Sequence, residues 1–305
     1  MKSKNFLHYA VVTLKGMAMG AADVVPGVSG GTIAFISGIY EELITSINNI
    51  EPSLLKVWKK DGFKVFWQKL NGNFLSALFL GIAISILSLA KFISWLLVNE
   101  AILLWSFFFG LVVASIFFVG KAIEKWNLAT IVVLLMGAAL AYYITILPPN
   151  ENVESLPFLF LSGALAVCAM ILPGISGAFI LVLLGSYKTI LDAVHERNIQ
   201  IIATVGLGAI FGLLSFAKLL KWMFNHYKNI TLALLTGFIL GSLNKIWPWK
   251  EVLETRTFGD KIITVKEQNV SPLAFDGDAQ ITYALVAAII GFSLIFILER
   301  TASKK

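Results

Sequence analysis

Two short segments of the chain carry proline, glycine and serine at spacings that interrupt a helix. Their sequences are PGVSGGT, from Pro26 to Thr32, and PGISGAF, from Pro173 to Phe179. Because proline has no N–H group and glycine disfavours the helix, each segment predicts two half-helices joined by irregular backbone. The second half-helix of each pair would present free N–H groups and a positive dipole end, which together favour an anion. The residues predicted to bind a phosphate are Pro26, Gly27, Ser29, Gly30, Gly31 and Thr32 in the first segment, and Gly174, Ser176 and Gly177 in the second.

The two segments are not equivalent. Ala178 and Phe179 stand where the first segment has glycine and threonine, so the first segment is expected to make the main contacts with the anion. The alternative for both is a kink that only lets helices pack closely. Irregular backbone at membrane depth is tolerated only inside protein or beside a wet cavity, and a pair of such breaks therefore favours a transport site.

Asp23 precedes the first segment within the apolar sequence GAADVVPG. A carboxylate inside a membrane segment is a functional candidate, since its burial is costly. Three roles stay open: carrying a coupled proton, binding a cation, or capping the broken backbone. Met170 takes the matching position in the second segment, so this chemistry is predicted for one side only.

Three further charges are candidates for the same site. Glu41 follows Tyr40 near the predicted cytoplasmic end of the first hairpin, where a solvated charge is also ordinary. Lys91 and Lys218 hold matching positions in two apolar segments, where each could meet a phosphate on its own side. Lysines near helix ends can also extend to the interface without any function.

The composition indicates that most of the surface faces lipid. Of the 305 residues, 58% are hydrophobic and 14% are charged, whereas charged residues make up about a quarter of a soluble domain. The net charge of +6 is explained by loops beside membrane spans and does not call for nucleic acid. Cys168 is the single cysteine, which excludes an intrachain disulfide. Runs near the 20 or so apolar residues needed to cross a bilayer predict six spans: 74–98, 102–120, 128–147, 201–224, 230–247 and 280–298.

An internal repeat organises these spans. Residues 16–44 match residues 163–191 at an offset of 147, with nine identities that fall mainly on the turn-forming residues. Residues 81–118 match residues 208–245 at an offset of 127. The predicted halves are 1–150, with a re-entrant hairpin at about 5–48 and the first three spans, and 151–305, with a hairpin at about 156–192 and the last three.

The difference in offset locates an insertion in the first half, at 51–72. This stretch combines five lysines with leucine, valine, tryptophan and phenylalanine, a pattern typical of an amphipathic helix on an anionic membrane surface. A plain cytoplasmic linker is the alternative.

Loop charges favour inverted repeats over parallel ones. If each hairpin enters and leaves on one side, the predicted inside segments hold thirteen lysines and arginines and the outside segments five. This distribution obeys the positive-inside rule and predicts two cytoplasmic termini. The fold class is therefore an all-α polytopic membrane protein, in which each half has one re-entrant hairpin and three transmembrane helices.

The chain resembles the bacterial polyprenyl-phosphate transporters of the PopT type. The resemblance is carried by GMAMGAADVVPGVSGGTIAFISGIYEELI, by ILPGISGAFILVLLGSYKTIL, and by the repeated LSLAK and LSFAK, and it covers nearly the whole chain. It implies a plasma-membrane transporter that returns undecaprenyl phosphate from the outer to the cytoplasmic leaflet. The carrier lipid could then be reused in cell-envelope synthesis.

Two other functions are weighed against this one. A membrane undecaprenyl pyrophosphate phosphatase would need an arginine after the serine of the turn, yet Gly30 and Gly177 follow Ser29 and Ser176, so an enzyme is not expected. A transporter or channel for another small anion fits the same breaks. No cofactor or metal is predicted, while a coupling ion (H⁺ or Na⁺) and a homodimer stay open.

Overall fold

The computed structural model describes residues 6–25, 28–150, 153–258 and 261–302, and these residues are nearly all helical. The helices are α1 (Phe6–Val24), α2 (Gly30–Ile36), α3 (Tyr40–Asn48), α4 (Pro52–Leu70), α5 (Gly72–Asn99), α6 (Ala101–Lys121), α7 (Leu128–Ile146), α8 (Leu156–Ile171), α9 (Gly177–Leu183), α10 (Tyr187–His195), α11 (Ile199–Ser242) and α12 (Ile281–Ala302). Two strands, β1 (Lys250–Phe258) and β2 (Lys261–Asn269), lie between α11 and α12.

The six predicted spans all fall on helices. Within the described parts of the chain, α5, α6, α7 and α11 are long and apolar enough to cross a membrane. The apolar stretches of α8 and α12 are shorter. Helix α11 contains the predicted span 201–224 and most of 230–247, whose last residues form a 3-10 turn (Leu243–Ile246), and it is interrupted between the two spans at Tyr227 (φ −136°, ψ 47°).

The hairpin β1–β2 departs from the all-α prediction, which gave residues 247–279 no element beyond an outside loop. The strands pair antiparallel, from Lys250 opposite Asn269 to Phe258 opposite Lys261. Their sequences, KEVLETRTF and KIITVKEQN, are rich in β-branched residues and are separated by Gly-Asp, which is a hairpin signal. The length of apolar runs does not reveal this hairpin, since neither strand is apolar.

The insertion at 51–72 forms α4, which is interrupted at Gly62 (φ 84°, ψ 171°). Leu54 is its buried side chain. The Phe63 ring contacts those of Trp58 and Trp67, and Trp58 and Phe63 are exposed. A helix with exposed aromatic groups and lysines has the composition of an interfacial helix, and its contact with a membrane surface stays a prediction.

Each half pairs the first helix of its hairpin with its first span. Gly16 of α1 packs against the carbonyl of Leu78, and Gly20 packs against Ile82 farther along α5. From the first contact to the second, the residue number increases on both helices, so α1 and α5 run parallel. The segment between them, which includes α2 and α3, therefore returns the chain to the end at which α1 began.

The second half repeats this arrangement at the offsets found in the sequence. Gly163 packs against the carbonyl of Val205, as Gly16 does against Leu78. Gly208 packs against Phe160 and Gly212 against Ala164, so α8 runs parallel to the first part of α11. Between them, α9 and α10 form a pair bent by 106°.

The turn after the first span is also repeated. Glu100, between α5 and α6, has φ −136° and ψ 42°. Tyr227, which is 127 residues later in the sequence, has nearly the same backbone conformation, φ −136° and ψ 47°. Glutamate and tyrosine thus adopt the same backbone turn at matching positions, so the repeat is present in backbone conformation as well as in sequence.

The remaining spans pair across the two halves. Gly110 of α6 packs against the carbonyl of Ala288 in α12, and Gly237 of α11 packs against that of Leu134 in α7. The two glycines, Gly110 and Gly237, are themselves 127 residues apart, which is the offset of the repeat. The halves are therefore interlocked, each giving one helix to a pair completed by the other, while the predicted boundary at 150 stays a prediction.

The contacts of Gly208 lead to a test of this packing. A Cβ atom at Gly208 would overlap the carbonyl oxygen of Phe160, whereas one at Gly206 meets nothing within 4 Å. We expect Gly208→Ala to lower the unfolding free energy by about 1–3 kcal/mol, because backbone must move to admit the methyl group. Gly206→Ala, on the same helix, should leave stability unchanged or raise it by up to about 1 kcal/mol. Thermal unfolding in detergent measures both, and equal stabilities would contradict the close packing of α8 against α11 at Gly208.

Candidate functional site

The two broken segments meet in the interior of the protein. The Ser29 hydroxyl lies 3.2 Å from the carbonyl oxygen of Met170 and 3.2 Å from that of Leu172. Ser29 is 1% exposed. Its hydroxyl thus joins the start of α2 to the end of α8, two parts of the chain separated by more than 140 residues.

A second hydrogen bond joins the same segments in the opposite sense. The backbone N–H of Gly174 donates to the Thr32 hydroxyl at 2.8 Å, and Thr32 is fully enclosed. Beside it, a Cβ atom at Gly31 would lie 2.8 Å from the carbonyl oxygen of Met170. Only glycine at position 31 permits this approach, so the close contact is built into the sequence of the first segment.

The N-terminus of α2 is closed by side chains of its own segment. The N–H of Gly30 donates to Asp23 Oδ1 at 2.7 Å, and the N–H of Gly31 donates to the Ser29 hydroxyl at 3.1 Å. Asp23 therefore caps the broken backbone, one of the three roles predicted for it. The carboxylate also places a negative charge at the positive end of the half-helix.

The second segment lacks this closure. Ser176 begins α9 without a side-chain hydrogen bond to the backbone of the helix. Gly177, which matches Gly30, packs near the Cβ atom of Met170 rather than near a carboxylate. Gly174 holds φ +88° close to Phe238, a conformation that glycine adopts at little cost.

Two lysines missed by the sequence analysis lie beside the second segment. Lys245 Nζ is 5.0 Å from the centre of the Phe179 ring. It also bonds Glu267 Oε1 at 2.8 Å, and Lys250 Nζ bonds the same oxygen at 3.1 Å. We name Lys245, Lys250 and Glu267 the hairpin cluster. Its sequence signal was weak, since Lys245 ends an apolar run and its partners lie in a loop with no assigned structure.

Burial and charge act in opposite directions in the hairpin cluster. Burial lowers the pKa of Lys250 to about 8, although the Glu267 carboxylate opposes this change. Lys250 therefore remains largely protonated at neutral pH. Burial raises the pKa of Glu267, but the charges of Lys250 and Lys245 outweigh it, so that pKa lies below its ordinary value.

The other charged candidates lie apart from the Ser29 contact in the described structure. Glu41 is exposed in the first turn of α3. Lys91 and Lys218 are both exposed, on α5 and α11. Substrate binding by these two lysines stays a prediction. Pro26 and Gly27 lie outside the described residues.

Comparison with known proteins identifies the family. Residues 19–262 match the family described as "VCA0040-like: Undecaprenyl phosphate translocase-like". The chain belongs to this family. Two relatives are similar to the chain over most of their length, and the resemblance drawn from the two broken segments is confirmed.

Both relatives are named as polyprenyl-phosphate transporters. The protein from Vibrio cholerae serotype O1 is 47% identical over 304 residues, which cover 98% of each chain. The protein from Staphylococcus aureus is 32% identical over 253 residues, which cover 77% of this chain and 85% of the relative. Neither name denotes an enzyme, in agreement with the sequence analysis. No solved structure matches the chain.

Two substitutions separate the hydrogen bond that Asp23 accepts from Gly30 from the effect of its negative charge. Asp23→Ala removes the acceptor of the Gly30 N–H and should cost about 1 kcal/mol of stability. Asp23→Asn keeps an amide oxygen at the same position and should retain most of it. Thermal unfolding in detergent compares the two. Equal losses in both variants would show that the charge, rather than the hydrogen bond, stabilises the break.

Proposed function

We propose that this protein moves a polyprenyl phosphate, the undecaprenyl carrier lipid, from the outer to the cytoplasmic leaflet of the bacterial plasma membrane. The observation that carries the proposal is the buried polar contact between the two broken segments, formed by Ser29, Thr32 and the backbone around Gly174. Polar backbone of this kind inside an apolar bundle is typical of a transporter's substrate site. The names of the two relatives support the lipid phosphate as substrate.

The directions of the paired helices support inverted repeats. Helix α7 runs parallel to the second part of α11, since Leu134 meets Gly237 and Ala138 meets Gly241. If α5, α6 and α7 cross the membrane in alternating directions, the second part of α11 therefore runs opposite to α6, its counterpart in the repeat. The two broken segments would then enter from opposite faces, the arrangement that alternating access requires.

The same topology assigns sides to the parts outside the bundle. Helix α4 and both termini would lie in the cytoplasm, where lysine and arginine are favoured. The hairpin β1–β2 would lie on the outer face, above α9. Each half would then comprise one re-entrant hairpin and three spans.

In the proposed cycle, the phosphate headgroup would enter the interface between the segments while the prenyl tail stays in the bilayer. The headgroup would compete with Asp23 for the amides of α2 and gain hydrogen bonds from Ser29 and Thr32. Binding of the headgroup would therefore displace the Asp23 carboxylate from these amides. Protonation of Asp23, or binding of Na⁺ to it, would lower the cost of that displacement, which gives the carboxylate a role in coupling beyond its cap.

A cysteine at position 60 tests the topology. In a variant whose Cys168 is replaced by alanine, we expect Lys60→Cys in α4 to react with an impermeant thiol reagent only after the cells are permeabilised. Val252→Cys in β1, where the side chain is 58% exposed, should react in intact cells. Reaction at position 60 from outside, or protection at position 252, would overturn the assignment of sides.

Transport by reconstituted protein tests the function. Ser29→Ala removes the hydroxyl that bonds the carbonyls of Met170 and Leu172 and that would bond the phosphate, and the loss of a hydrogen bond to a charged group costs about 1.5–3 kcal/mol. We expect the counterflow of polyprenyl phosphate in proteoliposomes to fall roughly tenfold or more, since 1.4 kcal/mol corresponds to a factor of ten. Ser88→Ala removes an exposed hydroxyl that bonds only within α5 and should leave transport unchanged.

Two results would contradict the proposal. One is normal lipid counterflow by Ser29→Ala at equal protein content. The other is counterflow of inorganic phosphate or chloride by wild type without any lipid counterflow, which would favour a small-anion transporter. Release of phosphate from undecaprenyl pyrophosphate would instead favour the phosphatase.

A further inference from the structure

Several contacts hold the side chains of the hairpin cluster in place, unlike those of an exposed surface ion pair. Both lysines converge on a single oxygen, Oε1 of Glu267. The side chain of Lys250 is only 8% exposed, and its ammonium group also donates to the backbone carbonyl of Lys245. It lies 4.1 Å from the centre of the Trp105 ring in α6, a distance at which a cation is attracted to an aromatic face.

Hydrogen bonds fix the hairpin above this arrangement. The Trp247 indole donates to the carbonyl of Val270 at 2.9 Å. Asn269, at the end of β2, donates to both the backbone carbonyl and the side-chain oxygen of Asn244. Glu267, two residues earlier in β2, is therefore held over the bundle by its strand, and its position does not depend on the lysines alone.

The cluster lies directly above the second broken segment. Ser242, at the end of α11, packs against Gly174, and Lys245 follows one turn later. Lys245 also lies over Phe179, in the first turn of α9. Lys245 thus brings positive charge to the segment that lacks a carboxylate cap, and Lys250 is joined to it through Glu267.

The charges in the cluster do not balance. Two ammonium groups share one carboxylate, and Lys250 keeps its proton at neutral pH despite its burial. A buried cation without full compensation attracts a further anion. A phosphate monoester dianion is suited to this position, since its oxygens can accept from both lysines at once.

We propose that the hairpin cluster is a receiving site for a phosphate monoester headgroup, in which Glu267 occupies the two lysines until the headgroup displaces it. The inference rests on the proposed function, because it supplies the outer-leaflet entry to the same pathway. Glu267 acts here as an internal substitute for the ligand. Lys245 and Lys250 bind the headgroup first and release it to the second broken segment below.

Binding of a short-chain prenyl monophosphate to the purified full-length protein tests the site, by isothermal titration in detergent. Lys245→Met should weaken binding about tenfold, whereas Lys245→Arg keeps the charge and should stay within about threefold of wild type. Glu267→Gln removes the competing carboxylate and should tighten binding about threefold to tenfold. Lys188→Met is the matched control, since Lys188 forms an exposed pair with Asp192 on α10, and it should leave the dissociation constant unchanged.

Each result decides the inference. Unchanged affinity in Lys245→Met overturns it, and if that variant does not fold, unchanged or weaker binding by Glu267→Gln overturns it. Inorganic phosphate should compete only at millimolar concentration, and competition equal to that of the prenyl monophosphate would reject the lipid headgroup as the ligand. Wild-type lipid counterflow separates the two proposals. If wild type shows lipid counterflow while Lys245→Met and Glu267→Gln bind the prenyl monophosphate as wild type does, only the receiving site is wrong. If wild type shows no lipid counterflow, the proposed function is wrong.

Discussion

The structure depends on how the backbone exposed by the break between α8 and α9 is satisfied. In an unbroken helix, the carbonyl of Met170 would accept from the N–H of Gly174. Here the Ser29 hydroxyl bonds the carbonyls of Met170 and Leu172, while the Gly174 N–H donates to Thr32. Lipid could satisfy none of these groups. The second broken segment is thus stable inside the bundle because side chains of the first supply its missing partners, whereas the start of α2 is satisfied by Asp23 and Ser29.

The two broken segments are electrically different. The start of α2 is met by the carboxylate of Asp23, whereas the start of α9 has Met170 in that position and Lys245 above it. An anion would therefore be attracted to the second segment and would have to displace a charge at the first. Two segments related by sequence have acquired opposite electrostatic surroundings through a few side chains.

The sequence was sufficient for the parts of the fold that follow from local pattern. Span positions follow from the length of apolar runs, and the breaks follow from proline and glycine, whose effects on the helix are intrinsic. The partner of Ser29 was not accessible in this way. Its hydroxyl was assigned to a ligand, yet it bonds carbonyls more than 140 residues away, and only the folded chain brings them together. The hairpin cluster was missed for the same reason, since Lys245 and Glu267 are 22 residues apart and belong to different elements.

The pairing of helices across the halves has a consequence for how the protein is made. The glycine surface of α6 around Gly110 is completed by α12, the last helix of the described chain to be synthesised. The ribosome will have delivered every other described helix before that partner reaches the membrane. Until then, the backbone at Gly110 borders lipid or a temporary neighbour. The first half therefore cannot reach its final packing during its own insertion, and assembly of the protein should be a late, concerted event rather than the docking of two finished halves.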